Sequence, residues 1–241
     1  PWQRESHDWK SRINLICSAN QIGKSSIAIR RHIRNATDKS RWKMYSRKPL
    51  MFWYFYPDSQ TLDREWTTKW EAEWMPRGAM KDHPVYGWRI KKDKGVVSQI
   101  LWNSGVTTYF LFYTKNVTAM QAGTVDDITV DEELPMDLYS ELTLRLAAVS
   151  GIFNMVCTPT LNQIFWKKAI ETKDVLPMAL KLNVSMYDCL VYEDGTPSTV
   201  WTREKIRDVE SKCSSDTEVL RRVHGKFVTE EGRKFFAFDP V

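Results

Sequence analysis

Eight residues near the start of the chain, Ser18-Ala19-Asn20-Gln21-Ile22-Gly23-Lys24-Ser25, constrain its fold more than any other stretch. They match the phosphate-loop pattern G-x-x-x-x-G-K-[ST], except that Ser18 stands in place of the first glycine. Before them, Ile13 to Cys17 reads as a short buried strand. After them, Ser25 to Ile33 reads as a helix, with Ser26 in its first turn. A strand, a tight loop and a helix bring backbone N–H groups and a helix N-terminus to one point, which favours a phosphate there. In that setting Lys24 reaches the terminal phosphates of a nucleotide and the Ser25 hydroxyl ligates Mg²⁺. The tripeptide Gly23-Lys24-Ser25 alone also fits an ordinary surface turn, so a second motif is needed to decide.

Asp126-Asp127-Ile128-Thr129-Val130-Asp131-Glu132 supplies it. A β-branched run ending in two carboxylates is the form taken by the acidic strand of a phosphate-loop ATPase. The strand carries Asp131 to its C-terminal edge beside the loop, where it can hold Mg²⁺. Glu132 follows and points into the cleft, where it can polarise an attacking water. Strand alternation sends Glu132 and Glu133 opposite ways, so one of them serves the site. A solvated acidic turn fits Asp131-Glu132 taken alone. The two motifs together point to Mg-ATP hydrolysis.

The chain of 241 residues has room for one large α/β domain, or for one domain with a small appendage. With 42% hydrophobic and 27% charged residues it is globular. A net charge of +5 suits a polyanionic partner. Cys17, Cys157, Cys189 and Cys213 form no C-x-x-C pair, which argues against a zinc site or a disulfide framework. Cys17 and Cys157 sit in apolar runs and read as buried thiols. The longest apolar run, Leu50 to Tyr56, is too short to span a membrane. The chain begins at Pro1 rather than Met, as an excised fragment would.

Strands are expected at 13–17, 50–56, 98–102, 107–113, 127–131, 152–157 and 179–185, with helices between several of them. This is an α/β pattern with a mainly parallel sheet flanked by helices. Asp58 or Ser59 caps a helix running to Trp74, whose stripe Leu62, Trp66, Trp70 and Trp74 reads as core. Asn103-Ser104-Gly105 turns a hairpin insertion at 98–113. A helix is expected from about Met136 to Val149. Residues 1–185 form the core and 186–241 a small helical lid or linker, with helices near 203–212 and up to about 223 and a short hairpin turning at Gly232.

The residues form a recognisable series. Pro1-Trp2-Gln3 precedes the loop, and the acidic motif runs on through Glu133-Leu134-Pro135, Tyr139-Ser140-Glu141 and Leu144-Arg145. Cys157-Thr158-Pro159-Thr160, Ser185-Met186-Tyr187-Asp188 and Arg222-Val223-His224-Gly225 come next. In order and spacing, over nearly the whole chain, this resembles the ATPase half of the large terminase subunit of tailed bacteriophages, the motor that packages DNA into a procapsid. The resemblance implies a phosphate-loop ATPase fold of the ASCE/RecA-like type, with ATP bound along Ser18 to Ser26. It makes Gln3 the adenine-reading residue, Lys24 the phosphate ligand, Ser25 and Asp131 the Mg²⁺ ligands, and Glu132 the residue that activates water. Thr158 becomes the coupling residue, whose hydroxyl senses the γ-phosphate. It implies double-stranded DNA, a portal protein and a small terminase subunit as partners, a homo-oligomeric ring when assembled, and the host cytoplasm as location, with no membrane association.

The family's arginine finger does not carry over. Asn20 and Gln21 occupy the loop and Gln121-Ala122-Gly123 stands before the acidic strand. Arg145 is a possible substitute, or a solvent-facing helix arginine. The chain stops at Val241, before the family's nuclease would begin, so ATPase without nuclease activity is expected of it. Basic groups between Arg30 and Lys48, at Lys91, Lys92 and Lys94, and at Lys167 and Lys168 are candidates for DNA phosphate contacts or are simply solvated faces. Two other readings fit the same motifs. A helicase-like ATPase would need a second motor domain, for which this length leaves no room. A non-catalytic nucleic-acid-binding assembly module would not need Lys24, Ser25, Asp131 and Glu132 together.

Overall fold

The computed structural model describes residues 2–8, 11–113, 123–160 and 163–228. Among them the strands are β1 (Ile13–Ser18), β2 (Met51–Tyr56), β3 (Trp88–Asp93), β4 (Val96–Trp102), β5 (Thr107–Phe112), β6 (Asp127–Asp131), β7 (Ile152–Cys157) and β8 (Leu180–Val184). They form one sheet in the order β3-β4-β5-β2-β6-β7-β1-β8. From β5 to β8 every neighbouring pair is parallel, and β4 pairs antiparallel with both β3 and β5. The parallel strands β6 and β7 are buried along their whole length, as strands covered on both faces must be.

The helices are α1 (Trp2–Asp8), α2 (Lys24–Thr37), α3 (Ser59–Glu65), α4 (Met136–Ala147), α5 (Ile164–Glu171), α6 (Arg203–Ser211) and α7 (Asp216–Arg222). Alternation along β2 shows how they divide the core. Trp53 and Phe55 pack with Leu138 and Leu142 of α4 and Trp166 of α5. Phe52, Tyr54 and Tyr56 face the other way, against Ile29 and Ile33 of α2 and Leu62 of α3. Fully burying one such phenylalanine contributes about 1.5–3 kcal/mol.

Three features depart from expectation. The helix expected from residue 58 to Trp74 is two pieces: α3, then a π-helix over Trp66–Trp74. The Asp58 carboxylate caps α3 by accepting from the Thr61 N–H at 2.7 Å. A side-chain spacing of four fits both kinds of turn, so the pattern does not separate them. Leu62, Trp66 and Trp70 are buried, as a core stripe should be, and Trp74 packs against the same cluster. Second, the segment 98–113 is not a separate insertion. β5 pairs in parallel with β2, so β4 and β5 extend the main sheet. Third, β3 is an additional edge strand. Its sequence Trp88-Arg89-Ile90-Lys91-Lys92-Asp93 is mostly charged and exposed, which keeps a free edge from pairing with another chain.

After β8 the chain folds back over the phosphate loop. A 3₁₀ turn at Met186–Cys189, closed by reciprocal hydrogen bonds between Ser185 and Asp188, precedes α6 and α7. Met186, Ile206 and Val223 pack on Ala19 and Ile22 of the loop and on Val184. The expected hairpin at Gly232 lies outside the described residues.

Candidate nucleotide-binding and catalytic site

β1 delivers the loop to the C-terminal edge of the sheet. Ser18 is the last residue of that strand and is fully buried, so its backbone is extended and needs no glycine. The positive φ values fall later, at Gln21 (57°) and Gly23 (89°). Gly23 is constrained twice. Its backbone is left-handed, and a Cβ there would stand 3.0 Å from Gln3 Nε2. Gln3 on α1 therefore lies directly beside the loop. The loop is also tied to the later chain. Ala19 N–H donates to the Val184 carbonyl at 2.8 Å and Asn20 N–H to the Arg222 carbonyl at 2.9 Å. Gly225 passes so close that a Cβ would fall 2.6 Å from the Ser18 carbonyl carbon.

β6 brings the carboxylates to the same edge. Ser25 Oγ donates to Asp131 Oδ1 at 3.1 Å, and Tyr54 OH donates to Asp131 Oδ2 at 3.2 Å. Lys24 Nζ lies 3.0 Å from Glu132 Oε1. The other oxygen of Glu132 accepts from the Thr158 N–H at 3.2 Å, and the Thr158 hydroxyl donates to Asn20 Oδ1 at 2.9 Å. One polar chain thus runs from the loop through Thr158 and Glu132 back to Lys24.

Glu133 is elsewhere. It is 1% exposed and accepts from the N–H groups of Thr160 (3.1 Å) and Gln163 (2.9 Å). The two glutamates do face different ways, but simple pleating is not the reason. Glu132 has φ 88°, and that left-handed residue redirects the chain.

Burial dominates the electrostatics. It raises the Asp131 carboxyl to about 7, with the charges of Glu65 and Glu132 pushing the same way and Lys24 and Lys69 opposing. For Lys24, burial lowers the pKa, but the charges of Glu132 and Asp131 outweigh it and leave the ammonium raised. The site therefore holds a fixed cation next to oxygen donors. Ser25 Oγ and Asp131 Oδ1 are hard ligands of the kind Mg²⁺ takes, already adjacent, so the residues fit that ion.

The remaining expected residues divide. Ala19 and Ile22 point into the small core under α6 and α7 and offer the ligand only their backbone. Ser26 donates to Glu73 on the π-helix at 3.1 Å, one residue past the metal pair. Arg145 does not join the site within its own chain. It is paired with Glu141 on α4, and its carbonyl faces Val125 at the start of β6, the opposite edge of the sheet. Gln121 lies outside the described residues. Sequence reasoning missed Tyr54 and Tyr113. The Tyr113 hydroxyl donates to the carbonyls of Asp131 (2.8 Å) and Glu132 (3.0 Å). Both are aromatics in β-rich runs, where nothing in the pattern signals a polar role.

Beside the loop, α1 and the segment 188–201 enclose a cleft of about 1080 Å³, lined by Trp2, Gln3, Gly23, Ile27, Arg30 and Tyr192 among others. Arg4 of α1 pairs with Glu193 at one margin of it.

A mostly parallel sheet with the Ser18–Ser25 loop after β1 and an acidic edge on β6, two places along, has the architecture of a phosphate-loop ATPase fold. Among solved structures, the ATPase domain of the Thermus phage P74-26 large terminase matches it with a TM-score of 0.66 at 13% identity, over 94% of this chain and 92% of that one. The large terminase of a thermophilic bacteriophage matches with a TM-score of 0.66 at 16% identity, over 95% of this chain and 54% of that one. A further crystal form of that protein, in complex with ADP, gives a TM-score of 0.64 at 16% identity, over 94% and 53%. This chain spans about half the length of that terminase. The fold is that of large terminase ATPase domains, as the order of motifs implies. No family model matches the sequence, and no curated protein matches it.

Proposed function

We propose that this chain is the ATP-hydrolysing motor domain of a viral DNA-packaging terminase, coupling Mg-ATP hydrolysis to translocation of double-stranded DNA into a procapsid. The observation that carries the reading is the convergence of Lys24, Ser25, Asp131 and Glu132 on one edge of a terminase-like sheet. The cleft beside Gln3 takes the adenine and ribose, and a glutamine amide can meet the donor and acceptor on the adenine edge. The loop N–H groups and Lys24 take the phosphates. Ser25 and Asp131 would hold a Mg²⁺ ion, which would supply charge neutralisation at those phosphates. Glu132 accepts the proton of the attacking water as its oxygen bonds to the γ-phosphorus and the bond to ADP breaks. Thr158 touches both the loop and Glu132, which suits the coupling role its position in the motif series implies.

For DNA, the β3–β4 hairpin is one basic candidate. Arg89, Lys91, Lys92 and Lys94 are exposed on an edge strand and its turn. Lysines and arginines without a base-reading helix suit grip on the phosphate backbone rather than on sequence.

The test is ATP turnover with and without unrelated duplex DNAs, for the parent and Lys24→Ala. The parent should hydrolyse ATP, with DNA affinity falling steeply with salt and indifferent to sequence. Lys24→Ala should lose tight nucleotide binding. A Lys24→Ala protein that binds and hydrolyses ATP like the parent would overturn the site.

A further inference from the structure

We propose that Tyr113 is the positioning residue that holds Glu132 in its left-handed conformation and so aims its carboxylate at the phosphate site. The inference rests on the reading of Glu132 as the group that activates water. At the end of β6 the chain has to do two things at once. It must leave Asp131 beside Ser25, and it must turn the next side chain towards Lys24. Glu132 does this with φ 88°, a region that residues with a Cβ seldom occupy and that persists only where the surroundings impose it.

The surroundings here are specific. On one side the Glu132 N–H donates to the Val156 carbonyl of β7 at 2.8 Å. On the other, the Tyr113 hydroxyl reaches the Asp131 carbonyl at 2.8 Å and the Glu132 carbonyl at 3.0 Å. One donor thus spans the peptide that enters the turn and the peptide that leaves it. The ring of Tyr113 stacks against Phe55 of β2, with centroids 6.5 Å apart and planes 28° apart, so the hydroxyl is carried by the sheet itself. The flanking carboxylates have supports of their own. Asp131 is held by Ser25 and Tyr54, and Glu133 by the N–H groups of Thr160 and Gln163. Removing the Tyr113 hydroxyl therefore takes away the one donor that bridges the two peptides flanking Glu132, leaves its turn resting on the Val156, Thr158 and Lys24 contacts, and does not touch the supports of Ser25 and Asp131.

That selectivity makes the role testable against simple packing. Parent and Tyr113→Phe are compared for ATP turnover, for affinity towards a non-hydrolysable ATP analogue with Mg²⁺, for thermal unfolding, and by crystal structure of both proteins. We expect kcat to fall on the order of 10- to 100-fold, the scale of a displaced reacting group. Analogue affinity should stay within about twofold, because the interaction lost acts on the chemical step. In the variant crystal Glu132 should leave the positive-φ region and its contact with Lys24. A parent-like kcat with Glu132 unmoved overturns the proposal. So does a parallel loss of kcat, analogue affinity and thermal stability, which marks a general packing role. A parent that hydrolyses no ATP overturns the proposed function instead. The crystals then decide the tyrosine's role, by whether Glu132 keeps its φ and its contact with Lys24.

Discussion

Lys24 Nζ and Glu132 Oε1 stand 3.0 Å apart, so the cation of the phosphate loop and the carboxylate assigned to water are partners in one ion pair. The phosphates of a nucleotide and the Glu132 carboxylate therefore compete for the same ammonium. Binding and chemistry are linked through that exchange, and variants at the pair should separate them.

Glu132→Gln is expected to bind Mg-ATP at least as tightly as the parent and to turn it over about 10²–10⁴ times more slowly. The amide keeps the shape of the carboxylate and can still accept from the Thr158 N–H, but it cannot take a proton and no longer competes as an anion for Lys24. Calorimetric binding and phosphate release on the same sample check both halves. Undiminished turnover would remove Glu132 from the mechanism.

Glu133→Gln should behave in the opposite way. Its buried carboxylate accepts two backbone N–H groups, and an amide offers one acceptor oxygen and an NH₂ that confronts the other donor. Leaving one buried donor unmatched costs about 1–3 kcal/mol. A lower unfolding midpoint with near-normal kcat per folded molecule is the expected result. A stable but inactive Glu133→Gln would move the catalytic assignment one residue on.

The phosphate loop and the acidic strand were legible because their chemistry demands particular residues at fixed spacing. The structure brings Lys24, Ser25, Asp131 and Glu132 together on one edge of the sheet. Features set by three-dimensional context were not legible. The nearness of Arg145 to the acidic motif in sequence suggested proximity in space. However, α4 runs back along the sheet, and nine residues from Met136 at 1.5 Å each carry the chain roughly 14 Å away. β3 has the composition of a loop because an edge strand needs charge, not apolar alternation. Tyr113 shows the limit most clearly. Its function depends on the φ of another residue nineteen positions away in sequence, which no spacing rule encodes.

Acid should destabilise the fold through His32. The ring is fully buried among Phe52, Tyr54 and Trp70, with its nitrogens on the hydroxyls of Thr129 and Thr108. Burial lowers its pKa to about 3. The unfolded chain takes up a proton near pH 6.5 that the folded one refuses, so the stability is complete above that pH and is lost as pH falls towards 3. Each pH unit in the window removes about 1.4 kcal/mol per such proton. Asp131 contributes the opposite slope over much of the same range, so the effect is read as a difference: in urea unfolding from pH 7 to 4, the stability of the parent relative to His32→Gln should fall by this amount per pH unit. An equal slope in both proteins would assign the acid sensitivity elsewhere.

Asp131 carries the opposite sign. Burial first, then Glu65 and Glu132, raise its carboxyl to about 7, so the folded protein keeps a proton that the unfolded chain releases near pH 4. The unfolded state then binds fewer protons between those values, and stability falls as pH rises from about 4 to 7. Asp131→Asn should therefore stabilise the metal-free protein, by about 1 kcal/mol or more at pH 8 and by less at pH 5. The amide preserves the local bonds. Ser25 can still donate to its oxygen, the Tyr54 hydroxyl can reverse to accept from its NH₂, and Lys24 keeps Glu132 as partner. Function should move the other way, because an amide is a poorer Mg²⁺ ligand than a carboxylate. Thermal unfolding at pH 5 and pH 8, with and without Mg-ATP, reads both effects. The parent should gain a large shift from Mg-ATP at pH 8, and Asp131→Asn should start higher and gain little. An Asp131→Asn protein that is less stable than the parent at pH 8 without metal would show that the nearby charges of Lys24 and Lys69 outweigh the burial of this carboxylate.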